Sequence, residues 1–134
     1  MEHSAAPWVA CIDGCDFSIT SVDELRSALS RIDGHTIQEF WLSHRDGPRM
    51  CLLRNLGQAL VMFQSSDDDP GVVALAPDSP RFASPVQFTL QNGQRDEYPA
   101  QWIVEAQRAF AAIEHFFATT AQTPALEWIR GNAA

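Results

Sequence analysis

The run EHFFATTAQTPALEWI, Glu114 to Ile129, decides how this chain is read. A helix-like stretch ends there on two adjacent phenylalanines, Phe116 and Phe117, crosses Pro124, and resumes as a short apolar segment with Glu127 beside Trp128. Upstream of it Ile103, Ala106, Phe110, Ile113 and Phe117 recur at steps of three and four, and Trp102, Ala109 and Phe116 widen the stripe. That spacing predicts an amphipathic helix over about 100–119, with Glu105, Gln107, Arg108, Glu114 and His115 toward solvent. Pro124 stops the helix, and ALEWI (125–129) is short enough to be a last strand docked beside it. Phe116, Phe117, Trp128 and Ile129 would then close one end of a core.

Working outward toward the N-terminus, Ser21-Val22-Asp23-Glu24 forms a capping box, and Val22, Leu25, Leu29 and Ile32 follow at helical spacing. A first helix over about 21–33 follows, with Asp33-Gly34 as its stop. Before it, WVACI (8–12) and CDFSIT (15–20) flank Asp13-Gly14, a dipeptide suited to a tight hairpin turn. Between the helices, TIQEFWLS (36–43), RMCLLR (49–54) and ALVMFQ (59–64) are joined by links too short for parallel crossovers, so they read as a meander. GVVALA (71–76) and PVQFTLQ (85–91), separated by a Pro-rich loop, extend the same sheet in this reading. The expected fold class is therefore α+β: an antiparallel meander packed by two main helices with a short C-terminal strand, in a single domain over 1–134. Residues 1–7 read as a flexible tail.

Composition narrows the function classes. A chain of 134 residues with 46% hydrophobic content can bury a core without covalent staples. Acidic residues outnumber basic ones 17 to 9, and the net charge of −8 disfavours direct binding to a phosphate backbone. The N-terminus lacks a positively charged leader with a long apolar run, and no membrane-spanning stretch follows, which places the expected protein in the cytoplasm. Cys11, Cys15 and Cys51, an odd number, read as free thiols in a reducing compartment.

The motifs of catalysis are missing. No Gly-x-Ser-x-Gly elbow and no Gly-rich loop opening a helix occurs. Cys11 and Cys15 lack the second close-spaced pair of a structural zinc site, so neither metal nor cofactor is expected. His3, His35, His44 and His115 lie in tail, loop, turn and polar helix contexts without a neighbouring nucleophile. The carboxylates of Asp67, Asp68 and Asp69, and of Asp96 and Glu97, sit in turn-like polar sequence without a core role, which favours solvated loops or partner contact over acid–base work. Trp8, Trp41 and Phe82 are core residues first and interface anchors second on the same reasoning.

The C-terminal third, DEYPAQWIVEAQRAFAAIEHFFATTAQTPALEW, resembles the end of the Imm1 family of bacterial immunity proteins. In that family a helix ends in an aromatic pair and a Thr, then come a Pro, an apolar residue and a Trp; Phe116, Phe117, Thr119, Pro124, Leu126 and Trp128 hold those places here. The capped helix, the meander and the long helix extend the resemblance over about 15–129. The family often carries a Gly or a basic residue before the proline, where this chain reads Thr120-Ala121-Gln122-Thr123. These are framework residues, so the resemblance implies no active site.

It implies instead a non-enzymatic protein of the bacterial cytoplasm that binds and neutralises a cognate toxin delivered by contact-dependent or type VI secretion. Such toxins include nucleic-acid deaminases, among them DNA cytosine deaminases, whose basic substrate channel an acidic inhibitor suits. A nuclease toxin is the next partner class. The rival readings are an adaptor or chaperone for a secreted effector, and a small hydrolase built around Glu97, Glu105 and His115. For an interface, the expected contacts are Asp67, Asp68, Asp69, Asp96 and Glu97, with Phe82 as apolar anchor.

Overall fold

The structure is a computed structural model that describes residues 7–75 and 85–130. Its central element is an eight-strand antiparallel sheet in the order β10-β6-β5-β4-β3-β1-β2, with a two-residue strand, β9, paired to β5. The chain enters through β1 (Trp8–Ile12) and β2 (Cys15–Ile19), crosses in α1 (Val22–Ser30), and forms the meander β3 (Glu39–His44), β4 (Arg49–Asn55), β5 (Gln58–Gln64) and β6 (Val72–Leu75). A separate hairpin follows, β7 (Val86–Thr89) with β8 (Arg95–Tyr98). A turn of 3-10 helix at Ala100–Trp102, β9 (Val104–Glu105), α2 (Ala106–Thr119) and β10 (Glu127–Arg130) complete the described chain.

Local chemistry accounts for the first elements. Asp13 and Gly14 both take positive φ, 53° and 78°, the conformation a two-residue hairpin link requires. Ser21 Oγ accepts from the Glu24 amide at 3.1 Å, and the Glu24 carboxylate accepts from the Thr20 amide and hydroxyl, both at 2.6 Å. Ser21 therefore caps the helix as expected, and the returning Glu24 carboxylate takes in Thr20 as well as Ser21. Helix α1 ends at Ser30, short of the expected 33, because Asp33 is used otherwise: its carboxylate accepts from the amides of His35, Thr36 and Ile37 and folds the exit turn. Gly34 follows at φ +73° with its carbonyl accepting from the Leu56 amide, and a Cβ there would overlap the Leu56 backbone.

Both helices lie on one face of the sheet. Leu25, Ala28 and Leu29 of α1, with Ile32 beyond its end, and Ala109, Ala112, Ile113 and Phe116 of α2 pack on Trp8, Ala10, Ile12, Phe40, Leu42, Met50, Leu52, Ala59, Val61 and Ala74. Arg26 ties the helices together through Glu114 at 2.9 Å. Trp8 is core, as expected, with ring centroids 5.0 Å from Phe116 and 5.3 Å from Phe117. Phe117 and Trp128 are half-buried against the same cluster, and the Trp128 indole N–H donates to the Thr123 carbonyl at 2.9 Å. Ile129 does not join them: its register partner is Val73, so it stands on the other face.

Four expectations need correction. The second helix begins at Ala106, not 100, because Val104 and Glu105 pair with Ala59 and Gln58, and sheet pairing overrides the helical spacing of the apolar residues before them. The last strand does not merely dock beside the helix; β10 joins the sheet edge through β6. The 85–91 run leaves the main sheet and pairs with β8 instead. Asp96 and Glu97, expected in a turn, lie on that strand β8.

Candidate functional site

The alternation of each strand puts a second set of side chains on the sheet face that the helices do not cover. Register aligns Cys11, Trp41, Cys51, Met62, Val73 and Ile129 in one row across β1, β3, β4, β5, β6 and β10. Leu53 and Leu60 stand beside that row as a cross-strand pair. The hairpin and the 3-10 turn cover part of this face: Cys51, Leu53, Leu60 and Val73 form a second core with Val86, Phe88 and Ile103. Polar side chains of the main sheet hold the hairpin down. The Asn55 amide donates to the Gln87 carbonyl at 2.8 Å, and the Gln38 and Glu39 side chains accept from the Thr89 and Gln91 amides at 2.7 and 2.9 Å.

Beside the hairpin this cover is incomplete. Leu53, Leu60, Met62, Pro70, Val73, Tyr98 and Trp102 line an apolar groove of about 300 Å³. Two of its lining residues adjoin the acidic segments singled out in the sequence. Pro70 continues directly from Asp67-Asp68-Asp69, and the Tyr98 hydroxyl lies 3.4 Å from Asp96, its neighbour on the same side of β8. Burial, reinforced by the Asp96 charge, pushes the Tyr98 phenol upward, so it stays protonated.

The three aspartates differ in role. Asp67 is exposed and pairs with Arg49 at 2.9 Å, and the Arg49 guanidinium in turn lies 5.7 Å from the Trp41 ring centroid. Asp68 is exposed, and neither it nor Asp96 forms an ion pair among the described residues. Asp69 stands outside the core, as expected, and has in addition a structural role in its turn. Its carboxylate accepts from the Ser65 amide and hydroxyl at 2.8 and 2.9 Å and from the Gly71 amide at 3.0 Å, and it faces Arg130 at 3.3 Å. The amides of Ser65 and Gly71, the Ser65 hydroxyl and the Arg130 charge hold its carboxyl down at about 2. Glu97 is exposed and alternates to the opposite side of β8 from Asp96 and Tyr98. Phe82 lies outside the described residues.

Among the described residues no group of three or more His, Cys, Asp or Glu side chains is placed to hold a metal. Cys51 is buried and its thiol is pushed well up by desolvation and then by Glu39, while Cys11 is half-buried beneath the Gln91 side chain and Cys15 is exposed. His44 packs edge-on against Trp8 at 4.7 Å and lies 3.6 Å from Asp46. Glu105 and His115 do not converge: they lie ten residues apart along α2, roughly 15 Å at the rise of an α-helix, and Glu97 is on the hairpin. The arrangement is thus an apolar groove with Asp96 near one lining residue and the Asp67-Asp68-Asp69 run leading into another. Sequence reasoning found the carboxylates and missed the groove, whose walls come from five separate elements.

A family model described as Immunity protein Imm1 matches residues 13–129, which takes in the meander, both helices and most of β10. No curated protein matches the chain. No helix among the described residues is long and apolar enough to cross a membrane.

Proposed function

Because this chain belongs to the Imm1 family of immunity proteins, we propose that it neutralises a cognate secreted toxin, specifically a nucleic-acid deaminase, by covering the cleft that receives the substrate. Family membership implies a toxin partner; the nature of the toxin and the mode of inhibition are inferred from charge. A deaminase acting on DNA or RNA must present a basic channel to the substrate backbone and a zinc-bound water to the base. The observation that supports the reading is an apolar groove with Asp96 in reach of the Tyr98 hydroxyl at one wall and with Pro70, the residue next in sequence to Asp67-Asp68-Asp69, at another, in a protein of net charge −8. Carboxylates set in that way can take the positions of phosphates in the channel while an apolar contact supplies affinity. Glu97 and Phe82 are kept as proposed toxin contacts, Glu97 from the other side of β8. Binding would take place in the bacterial cytoplasm, where an incoming toxin acts.

The test is co-expression with the C-terminal domain of the protein encoded by the neighbouring open reading frame. Protection of cell viability, together with loss of cytosine deamination on a single-stranded oligonucleotide when the purified proteins are mixed, is the expected result. Strand cleavage by the toxin alone would replace the deaminase with a nuclease. Binding without any loss of toxin activity would leave an adaptor in place of an inhibitor.

A further inference from the structure

We propose that the groove between β5, β6 and the β7–β8 hairpin receives one large apolar side chain of the toxin domain, carried on a segment with Arg or Lys beside it. The inference rests on the immunity reading and adds to it the seat and the chemistry of the anchor. In this arrangement the anchor comes from the toxin, and the immunity protein supplies the socket.

Three observations carry the choice of occupant. The socket is apolar: Leu53, Leu60, Met62 and Val73 form its floor and Pro70, Tyr98 and Trp102 its walls. Met62, Tyr98 and Trp102 are half-buried and Pro70 is exposed, so these side chains have apolar surface still to bury. Met62 has an unbranched, polarisable side chain that can adjust to an incoming group. The edges then select the charge of what flanks that group. Asp68 and Asp96 form no ion pair among the described residues, and Asp67 shares only Arg49, whose guanidinium already rests on Trp41. A cation beside the anchor gains attraction at Asp96, which lies against the Tyr98 wall, and from the exposed Asp67-Asp68 run that leads into Pro70, whereas an acidic or phosphorylated segment is repelled. This favours a basic protein segment over nucleic acid or an acidic peptide.

The experiment measures binding of the purified, catalytically inactivated C-terminal domain of the protein encoded by the neighbouring open reading frame to the full chain and its variants. Met62→Arg places a charge in the socket, and Pro70→Arg does so at its exposed wall, where the fold has least at stake. Each is expected to weaken binding at least about tenfold with an unchanged melting temperature. Met62→Leu, which keeps an apolar side chain of similar volume, should stay within about threefold of the parent. Asp68→Asn should slow association and flatten its dependence on salt. Asp23→Asn, on the exposed side of α1 at the helical face, should change neither.

If the parent binds and protects while both arginine variants bind as it does, the socket is wrong and the immunity reading stands. If Met62→Arg fails to fold, Pro70→Arg decides alone. A parent that neither binds nor protects removes the immunity reading itself. Sedimentation of the free parent as a dimer that Pro70→Arg dissociates would give the groove to a second copy and overturn the proposal.

Discussion

Trp128 joins sequence to stability through one hydrogen bond and one half-buried ring. Its indole packs on the edge of the main core, and its N–H satisfies the Thr123 carbonyl at 2.9 Å. Truncating a fully buried tryptophan costs about 3–5 kcal/mol, so Trp128→Ala at this half-covered position should cost about 2–3 kcal/mol. Urea unfolding of the two proteins measures the difference. Asp69 makes a different statement, about pH. Its carboxyl is held at about 2, below the ordinary 3.8, so its contribution to stability is present above the ordinary value and is lost as pH falls through about 2. Asp69→Asn should therefore lie well below the parent in stability at pH 6, and the gap should narrow as pH approaches 2. Parallel denaturant titrations at both ends of that range test the sign, and a gap that widens in acid contradicts it. The sequence showed Asp67, Asp68 and Asp69 as three equal charges. Only folding brings Ser65, Gly71 and Arg130 to the third of them, which is why its structural role was illegible.

Elements fixed by neighbours in the chain were legible, and elements fixed by distant partners were not. The Ser21 cap, the Asp13-Gly14 turn and the short links of the meander are local, and they lie where the sequence put them. Strand β8 reads Arg-Asp-Glu-Tyr, with no apolar alternation, and exists through its pairing with β7 and the packing of Tyr98 near Phe88 and Trp102. Strand β9 was read as helix because Ile103 and Ala106 continue the spacing of α2; its ladder to β5 is invisible without the fold. The far end of α2 offers a test at this scale. Thr120 caps it at φ 59°, a left-handed conformation that a β-branched residue adopts at a cost and that glycine accepts freely. This is the loop in which the Imm1 resemblance leads one to expect a glycine or a basic residue. Thr120→Gly should raise stability by about 1 kcal/mol, read as a higher melting temperature with the helical circular-dichroism signal kept.

At the scale of the molecule, one sheet separates two tasks. The helical face carries the larger core, with Phe40, Leu42, Met50, Leu52, Ile113 and Phe116 fully buried. The other face is only partly roofed by the described residues, which leaves apolar side chains half-buried near Asp96 of β8. The fold class and the acidic segments could be read from the chain because they follow from periodicity and composition. The groove could not, because Leu53, Met62, Val73, Tyr98 and Trp102 meet only after three strands, a hairpin and a turn have been placed.

The roof itself behaves differently from the floor beneath it. Among the described residues β7 and β8 pair only with each other, and Asn55, Gln38 and Glu39 fasten them through side chains, with Phe88 buried below. Lifting such a flap breaks a few side-chain bonds and uncovers one small core, whereas opening β4 dismantles ladders on both of its edges. Amide protons of Val86–Thr89 and Arg95–Tyr98 should therefore exchange with deuterium at least about tenfold faster than those of Met50–Leu53. Bound toxin should slow the flap's exchange far more than that of α1, so mass spectrometry of deuterated peptides would report capture at the groove without any substitution in the protein.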